Sequence, residues 1–164
     1  MMSKKMLDAL NEQIALELSS AYLYLAMGAQ LDDENLPGFA HWMKVQFQEE
    51  TEHGMKLFDY VADRGGRVTL EAIPKPQTDF GSPADIFKAV LEHERKVTAS
   101  IHRLYELALA EKDYATQAHL QWFITEQVEE EKNAEGILRQ IQAMEGKAHL
   151  MLMLDRHLGA RKAD

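Results

Sequence analysis

Apolar residues return at alternating intervals of three and four along four long stretches of the chain. This is the periodicity of helices that each bury one stripe against their neighbours. The first stretch, from about Ser3 to Asp32, places Leu7, Leu10, Ile14, Glu17, Ala21, Tyr24, Gly28 and Leu31 on one seam. The second opens near Pro37 and stops at Gly65-Gly66, with Leu36, Phe39, Met43, Gln46, Glu50, His53, Leu57 and Tyr60 in register. A third opens at Ser82-Pro83, where Asp85 completes a pattern like a capping box, and carries Phe87, Val90, Glu94, Val97, Ile101, Leu104 and Ala108. The fourth runs from near Asp113 to near Gly146 through Leu120, Phe123, Gln127, Glu130, Ala134, Ile137, Ile141 and Met144. A short fifth helix is expected over His149 to Leu158, closed by Gly159. No stretch alternates apolar and polar residues as a half-buried strand would.

The connections predict the topology. Short turns join the first helix to the second and the third to the fourth, so each pair is an antiparallel hairpin. The segment from Gly65 to Ser82 is long and holds Pro74 and Pro76. Extended, it covers about 60 Å, whereas a helix of about 28 residues is about 42 Å long. It can therefore travel the full length of a bundle. The expected fold is all-α: a four-helix bundle with one long crossover between its second and third helices and a short fifth helix, built as one domain over residues 1–164.

Each seam is broken by polar residues near its middle: Glu17, Glu50 and His53, Glu94, Gln127 and Glu130, with Gln46 a further exception. A carboxylate buried without a partner is costly and normally takes up a proton. No lysine or arginine falls on these seams. Two divalent cations would balance four carboxylates, with His53 neutral. Residues three apart share a helix face, so Glu50-x-x-His53 and Gln127-x-x-Glu130 each present two groups inward. The arrangement is that of di-iron carboxylate bundles, with one Glu-x-x-His replaced by Gln-x-x-Glu. Oxygen-rich ligands with one imidazole suit iron or manganese. The competing reading is a helical scaffold whose buried acids only set register.

Composition narrows the classes. Without cysteine, thiolate zinc sites and cysteine-bound iron–sulfur clusters are excluded. The 27 acidic and 18 basic residues leave a net charge of −9, unfavourable for general nucleic-acid binding. No apolar run is long enough to span a bilayer. Residues 1–10 lack the apolar stretch of a secretory signal, so a cytoplasmic location is expected, with neither membrane nor nucleic acid as partner.

Four motifs, in their order and intervals, resemble bacterial non-haem ferritins over essentially the whole chain. They are Glu17 to Tyr24 in Glu-Leu-Ser-Ser-Ala-Tyr-Leu-Tyr, Glu49-Glu50-Thr51-Glu52-His53, Glu94 in His-Glu-Arg, and Glu126-Gln127-Val128-Glu129-Glu130. The resemblance implies Fe(II) oxidation by dioxygen and storage of Fe(III) as a mineral inside a homo-oligomeric cage of 24 subunits. It implies a first iron on Glu17, Glu50 and His53, and a second on Glu17, Glu94 and Glu130, with Glu50 placed to bridge or assist the first. Gln127 would be a nearby hydrogen-bonding group. Glu49, Glu126 and Glu129 match a third iron site. Tyr24 would lie between the sites as a donor of hydrogen bonds or of electrons, and Trp122 would line them; ordinary core packing is an equal reading for both. The haem-binding methionine of bacterioferritins follows the second helix's glutamate. That position here is Thr51, so no haem is expected. The fifth helix would meet its copies at four-fold axes, or cap the end of its own bundle. Its Met and His residues are read as packing. His41, His93, His102 and His119 are expected to be surface or packing residues. A di-metal oxidase acting on an organic substrate is the other enzymatic reading, though no insertion is present to build a substrate cavity.

Overall fold

The computed structural model describes residues 2–144 and 146–162. It contains five helices: α1 (Lys4–Asp33), α2 (Pro37–Asp63), α3 (Pro83–Glu111), α4 (Tyr114–Ala143) and α5 (Ala148–Leu158). No strand occurs among the described residues. The helix limits agree with the sequence reading except at α4, which ends at Ala143, ahead of Gly146.

Local chemistry explains the ends. Ser3 caps α1 by accepting the Met6 N–H. Ser82 and Asp85 form the reciprocal capping box of α3, with Pro83 in its first turn. Asp113 caps α4 through Thr116. The turn after α1 places Asn35 in the left-handed region (φ 57°) and returns the Leu36 N–H to the Leu31 carbonyl. Lys112 takes the same conformation after α3 (φ 55°). These turns occupy only a few residues, so α1–α2 and α3–α4 pack as antiparallel hairpins.

The crossover, residues 64–82, is pinned along α1 by two side-chain amides. Near its start, Asn11 donates to the Arg67 carbonyl and accepts the Thr69 N–H (3.3 and 3.1 Å). Near its end, Gln30 accepts the Phe80 N–H and donates to the Gly81 carbonyl (both 2.8 Å). Anchors at residues 11 and 30 of one helix show that the segment follows most of its length. Gly66 sits in close packing where the crossover leaves α2: a Cβ there would lie 2.8 Å from Leu7 Cδ1 and 3.1 Å from the Val61 carbonyl oxygen.

The core is two apolar clusters with a polar layer between them. One gathers Tyr24, Met27, Leu31, Phe39, Met43, Phe87 and Val90 with Leu154 and Leu158 of α5. The other gathers Met6, Leu10, Ile14, Leu57, Val61, Val97, Ile101, Leu104, Leu120 and Phe123. Every seam position is buried except Leu7, Leu36, Tyr60 and Met144, which sit at bundle ends and are half-buried.

The helix α5 packs against the start of α2. Asp155 is buried there and accepts the Gly38 and Phe39 N–H groups (2.8 and 3.0 Å), donors that have no partner inside α2. Gly38 permits the approach, since a Cβ would fall 1.6 Å from the Asp155 carbonyl oxygen. Asp155→Ala should weaken this docking by about 1–3 kcal/mol, because two buried donors lose their acceptor. Hydrogen exchange should then accelerate at Gly38, Phe39 and along α5 while the middle of α1 to α4 stays protected. Unchanged exchange would show that apolar packing alone holds α5.

Candidate metal centre

The polar layer draws side chains from all four long helices. Glu17 (α1), Gln46, Glu50 and His53 (α2), Glu94 (α3), and Gln127 and Glu130 (α4) are all buried. Glu17, Glu50 and His53 bring one ligand atom each to within 4.8 Å of one another. His53 Nδ1 lies 3.7 Å from Glu50 Oε2. A second grouping of the same compactness joins His53 to Glu126 and Glu130. These are the groupings of three found among the described residues.

Amides orient the acids. Gln13 donates to Glu17 Oε1 (2.8 Å), and Ser100 on α3 donates to the Gln13 carbonyl oxygen (2.6 Å), which fixes the amide's direction. Gln46 donates to Glu130 Oε2 (3.0 Å). Gln127 donates to Glu94 Oε2 (3.1 Å), and Tyr24 donates to Glu94 Oε1. Glu94 is thus engaged through both oxygens. It is not gathered with Glu17 and Glu130 as tightly as Glu17, Glu50 and His53 are gathered. Glu17 Oε2 and Glu50 Oε2 are buried and meet no donor from any other residue; a proton shared between the two carboxyls is the one hydrogen bond open to them. Two acid oxygens with only each other's proton to share, beside a neutral imidazole, fit a hard cation that takes the proton's place.

The electrostatics point the same way. Burial pushes the Glu17 carboxyl up to about 7, against the pull of the Gln13 hydrogen bond. Glu130 is pushed up to about 8 by burial and then by Glu94. Glu50 is raised well above the carboxylate range by burial, with Glu94, Glu17 and Glu130 adding to it. Burial also raises Glu94, partly offset by the Tyr24 and Gln127 hydrogen bonds. Tyr24 is held protonated by burial and by the acids around it. His53 is pushed down to about 4, by burial and then by Lys56.

A cavity of about 290 Å³ opens beside this layer, lined by Glu49, Glu52, His53, Lys56, Trp122, Glu126 and Glu129. It holds all three residues expected at a third site. Two differ in setting from that expectation. Glu49 is bonded to Arg161 (2.6 Å), and Glu126 groups with His53 and Glu130. Trp122 stands edge-on to His53 (centroids 5.3 Å apart) and carries Lys56 over its ring at 4.0 Å.

Gln13, Ser100 and Arg161 did not stand out in the sequence. Gln13 lies one turn before Glu17, a spacing that could have flagged it. Ser100 and Arg161 lie far from their partners along the chain. Among the unassigned histidines, His93 bonds Ser20 (2.7 Å) and meets the Tyr24 ring edge-on. Ser20 spends its proton on the Leu16 carbonyl, so His93 Nε2 donates. His119 stacks on Tyr60, and His41 donates to the Arg161 carbonyl (2.8 Å). His102 is exposed.

Known proteins agree with this architecture. The family model for the ferritin-like domain matches residues 7–144. The chain belongs to the ferritin family. A bacterial non-heme ferritin of Bacteroides fragilis (strain 638R) is 44% identical over 161 residues, covering 98% of this chain and 100% of that one. Another of the same name, from Staphylococcus aureus (strain USA300), is 38% identical over 164 residues, covering 100% and 99%. Among solved structures, an open pore ferritin from the hyperthermophilic archaeon Archaeoglobus fulgidus superposes with a TM-score of 0.98 at 47% identity, covering 99% of this chain and 100% of that one.

The metal-free chain should show a specific pH profile. Its raised carboxyls keep protons that the unfolded chain releases, so their contribution to stability falls as pH rises from the ordinary 4.5 to about 8. His53 and His93, both pushed down to about 4, do the opposite between about 4 and 6.5. Above 6.5 only the carboxyls act. The unfolding midpoint of metal-free protein should therefore fall between pH 6.5 and 8. A divalent cation should remove that fall, and Glu17→Gln with Glu130→Gln should flatten it. A flat profile in the unsubstituted metal-free protein would contradict the placement of these acids.

Proposed function

We propose that the chain is a subunit of an iron-storage cage, and that its carboxylate layer oxidises Fe(II) with dioxygen. The observation that carries this reading is the buried cluster of Glu17, Glu50 and neutral His53, whose ligand atoms lie within 4.8 Å of one another between two apolar clusters. Relatives named non-heme ferritins match over the full chain.

Iron is the substrate here. One Fe(II) is held by Glu17, Glu50 and His53, the other by Glu17, Glu94 and Glu130. Each Fe(II) gives one electron to dioxygen, which takes up two protons and leaves as hydrogen peroxide, and the Fe(III) formed passes on to a mineral. Carboxylate oxygens favour this direction because they stabilise the higher charge more. Binding requires the raised carboxyls, Glu17 and Glu130 among them, to release protons that burial makes them keep, so uptake liberates protons. Gln13, Gln46 and Gln127 keep the acids aimed while that exchange occurs. Tyr24 keeps its proton toward Glu94. Glu49, Glu126 and Glu129 form an outer iron site on the wall of the adjoining cavity. After Glu50 comes Thr51, whose hydroxyl donates to the Phe47 carbonyl (2.7 Å) and offers no thioether, in keeping with a haem-free protein. The assembly is a homo-oligomer, read as 24 copies with α5 at the four-fold axes. No helix of the described residues is long and apolar enough to cross a membrane; we place the protein in the cytoplasm.

Glu17→Ala, Glu94→Ala and Glu130→Ala should each slow initial Fe(II) oxidation by at least about 100-fold. The assembly should keep its size by exclusion chromatography, since removing a buried acid does not disrupt the apolar clusters. Stopped-flow oxidation under air measures the first effect. Unchanged rates in all three would remove these residues from the site. The intact protein should hold soluble Fe(III) well beyond two atoms per chain; uptake that stopped at two would rule out storage.

A further inference from the structure

The chain beyond α5 turns back along α2 and brings Arg161 to Glu49. Arg161 Nη2 lies 2.6 Å from Glu49 Oε2, with the side chains 19% and 11% exposed. The guanidinium also lies over the Trp42 ring at 4.6 Å. The Arg161 carbonyl accepts from His41. Arg161 Nη1 is buried and makes no hydrogen bond among the described residues. These contacts set a fixed cation against the carboxylate that precedes Glu50 and lines the acidic cavity with Glu126 and Glu129.

We propose that Arg161 is a tethered counter-ion of the outer cation site, so that a metal ion bound there and a docked chain end exclude one another. The inference rests on the outer site proposed above. A divalent cation coordinated by Glu49 would stand next to the guanidinium with little water to screen the repulsion. Arg161 must then give up Glu49. Release reaches only the last residues, because α5 stays held by Asp155 on α2 and by buried Leu154 and Leu158. The coupling is reciprocal: whatever the docked arginine costs the incoming metal, the bound metal costs the docking. The chain end thereby tunes how strongly the cavity retains cations next to the oxidation site, and reports their presence by letting go.

Zn(II), which has no redox chemistry, is the probe, titrated calorimetrically into the assembled metal-free protein. Two equivalents per chain belong to the inner pair and a third to the outer site. Arg161→Gln should tighten the third equivalent on the order of tenfold and leave the first two unchanged. In the unsubstituted protein, amide exchange over residues 159–162 should rise only as the third equivalent binds. In Arg161→Gln it should be fast from the start. A third equivalent that Glu126→Gln with Glu129→Gln abolishes, but Arg161→Gln does not tighten, would overturn the inference and leave the outer site standing. No third equivalent in any of these proteins would overturn both. Exchange indifferent to the third equivalent would also overturn the proposal.

Discussion

The energetic problem of this molecule is four carboxyl groups buried in the middle of a helical bundle. Glu17, Glu50, Glu94 and Glu130 lie between two clusters of aliphatic and aromatic side chains, and among the described residues no buried lysine or arginine shares the layer. Left ionised and alone they would repel one another in a medium that screens poorly. The metal-free chain answers by holding protons on them. Cations bound there, as proposed, would answer better, because they supply charge and engage the oxygens of Glu17 and Glu50 that no other residue's donor reaches. Metal uptake at such a layer, as proposed, would release protons.

The rest of the bundle keeps that layer in place. Its apolar clusters sit above and below and supply the packing, so the acids need not be optimised for packing. The side-chain amides of Gln13, Gln46 and Gln127 each turn an N–H toward an acid. An amide can orient a carboxylate without neutralising it, which a lysine at the same position would do. The crossover, tied to α1 through Asn11 and Gln30, lets two hairpins meet with their seams facing. That arrangement brings a carboxylate from α1 and one from α3 to the pairs on α2 and α4.

The start of α2 shows a second use of the same chemistry. Its unsatisfied N–H groups receive Asp155, so a carboxylate that is a liability in the core becomes a clamp at a helix terminus. The chain then continues to Arg161 and Glu49, which links the chain end to the rim of the carboxylate layer. Buried acids thus meet two settings, the proposed metal binding in the centre and capping at the end, distinguished by which donors lie nearby.

Much of this was readable in the sequence because helices translate spacing directly into direction. The three-and-four repeat fixes which side of each helix faces inward, and Ser82-Pro83 with Asp85, Asp113 and Gly65-Gly66 mark where helices begin and end. The interruptions at Glu17, Glu50, His53, Glu94, Gln127 and Glu130 therefore named the polar layer in advance. Spacing carries no information on contacts between distant parts of the chain. Ser100 on Gln13, Asp155 on Gly38 and Arg161 on Glu49 join residues tens of positions apart, and each depends on how the crossover and α5 are laid down. The sequence by itself determined the inward faces and the buried acids, since helical periodicity is local. Only the tertiary structure decided which donors meet those acids and which acid is claimed by an arginine, since that requires separate helices to be set at one depth.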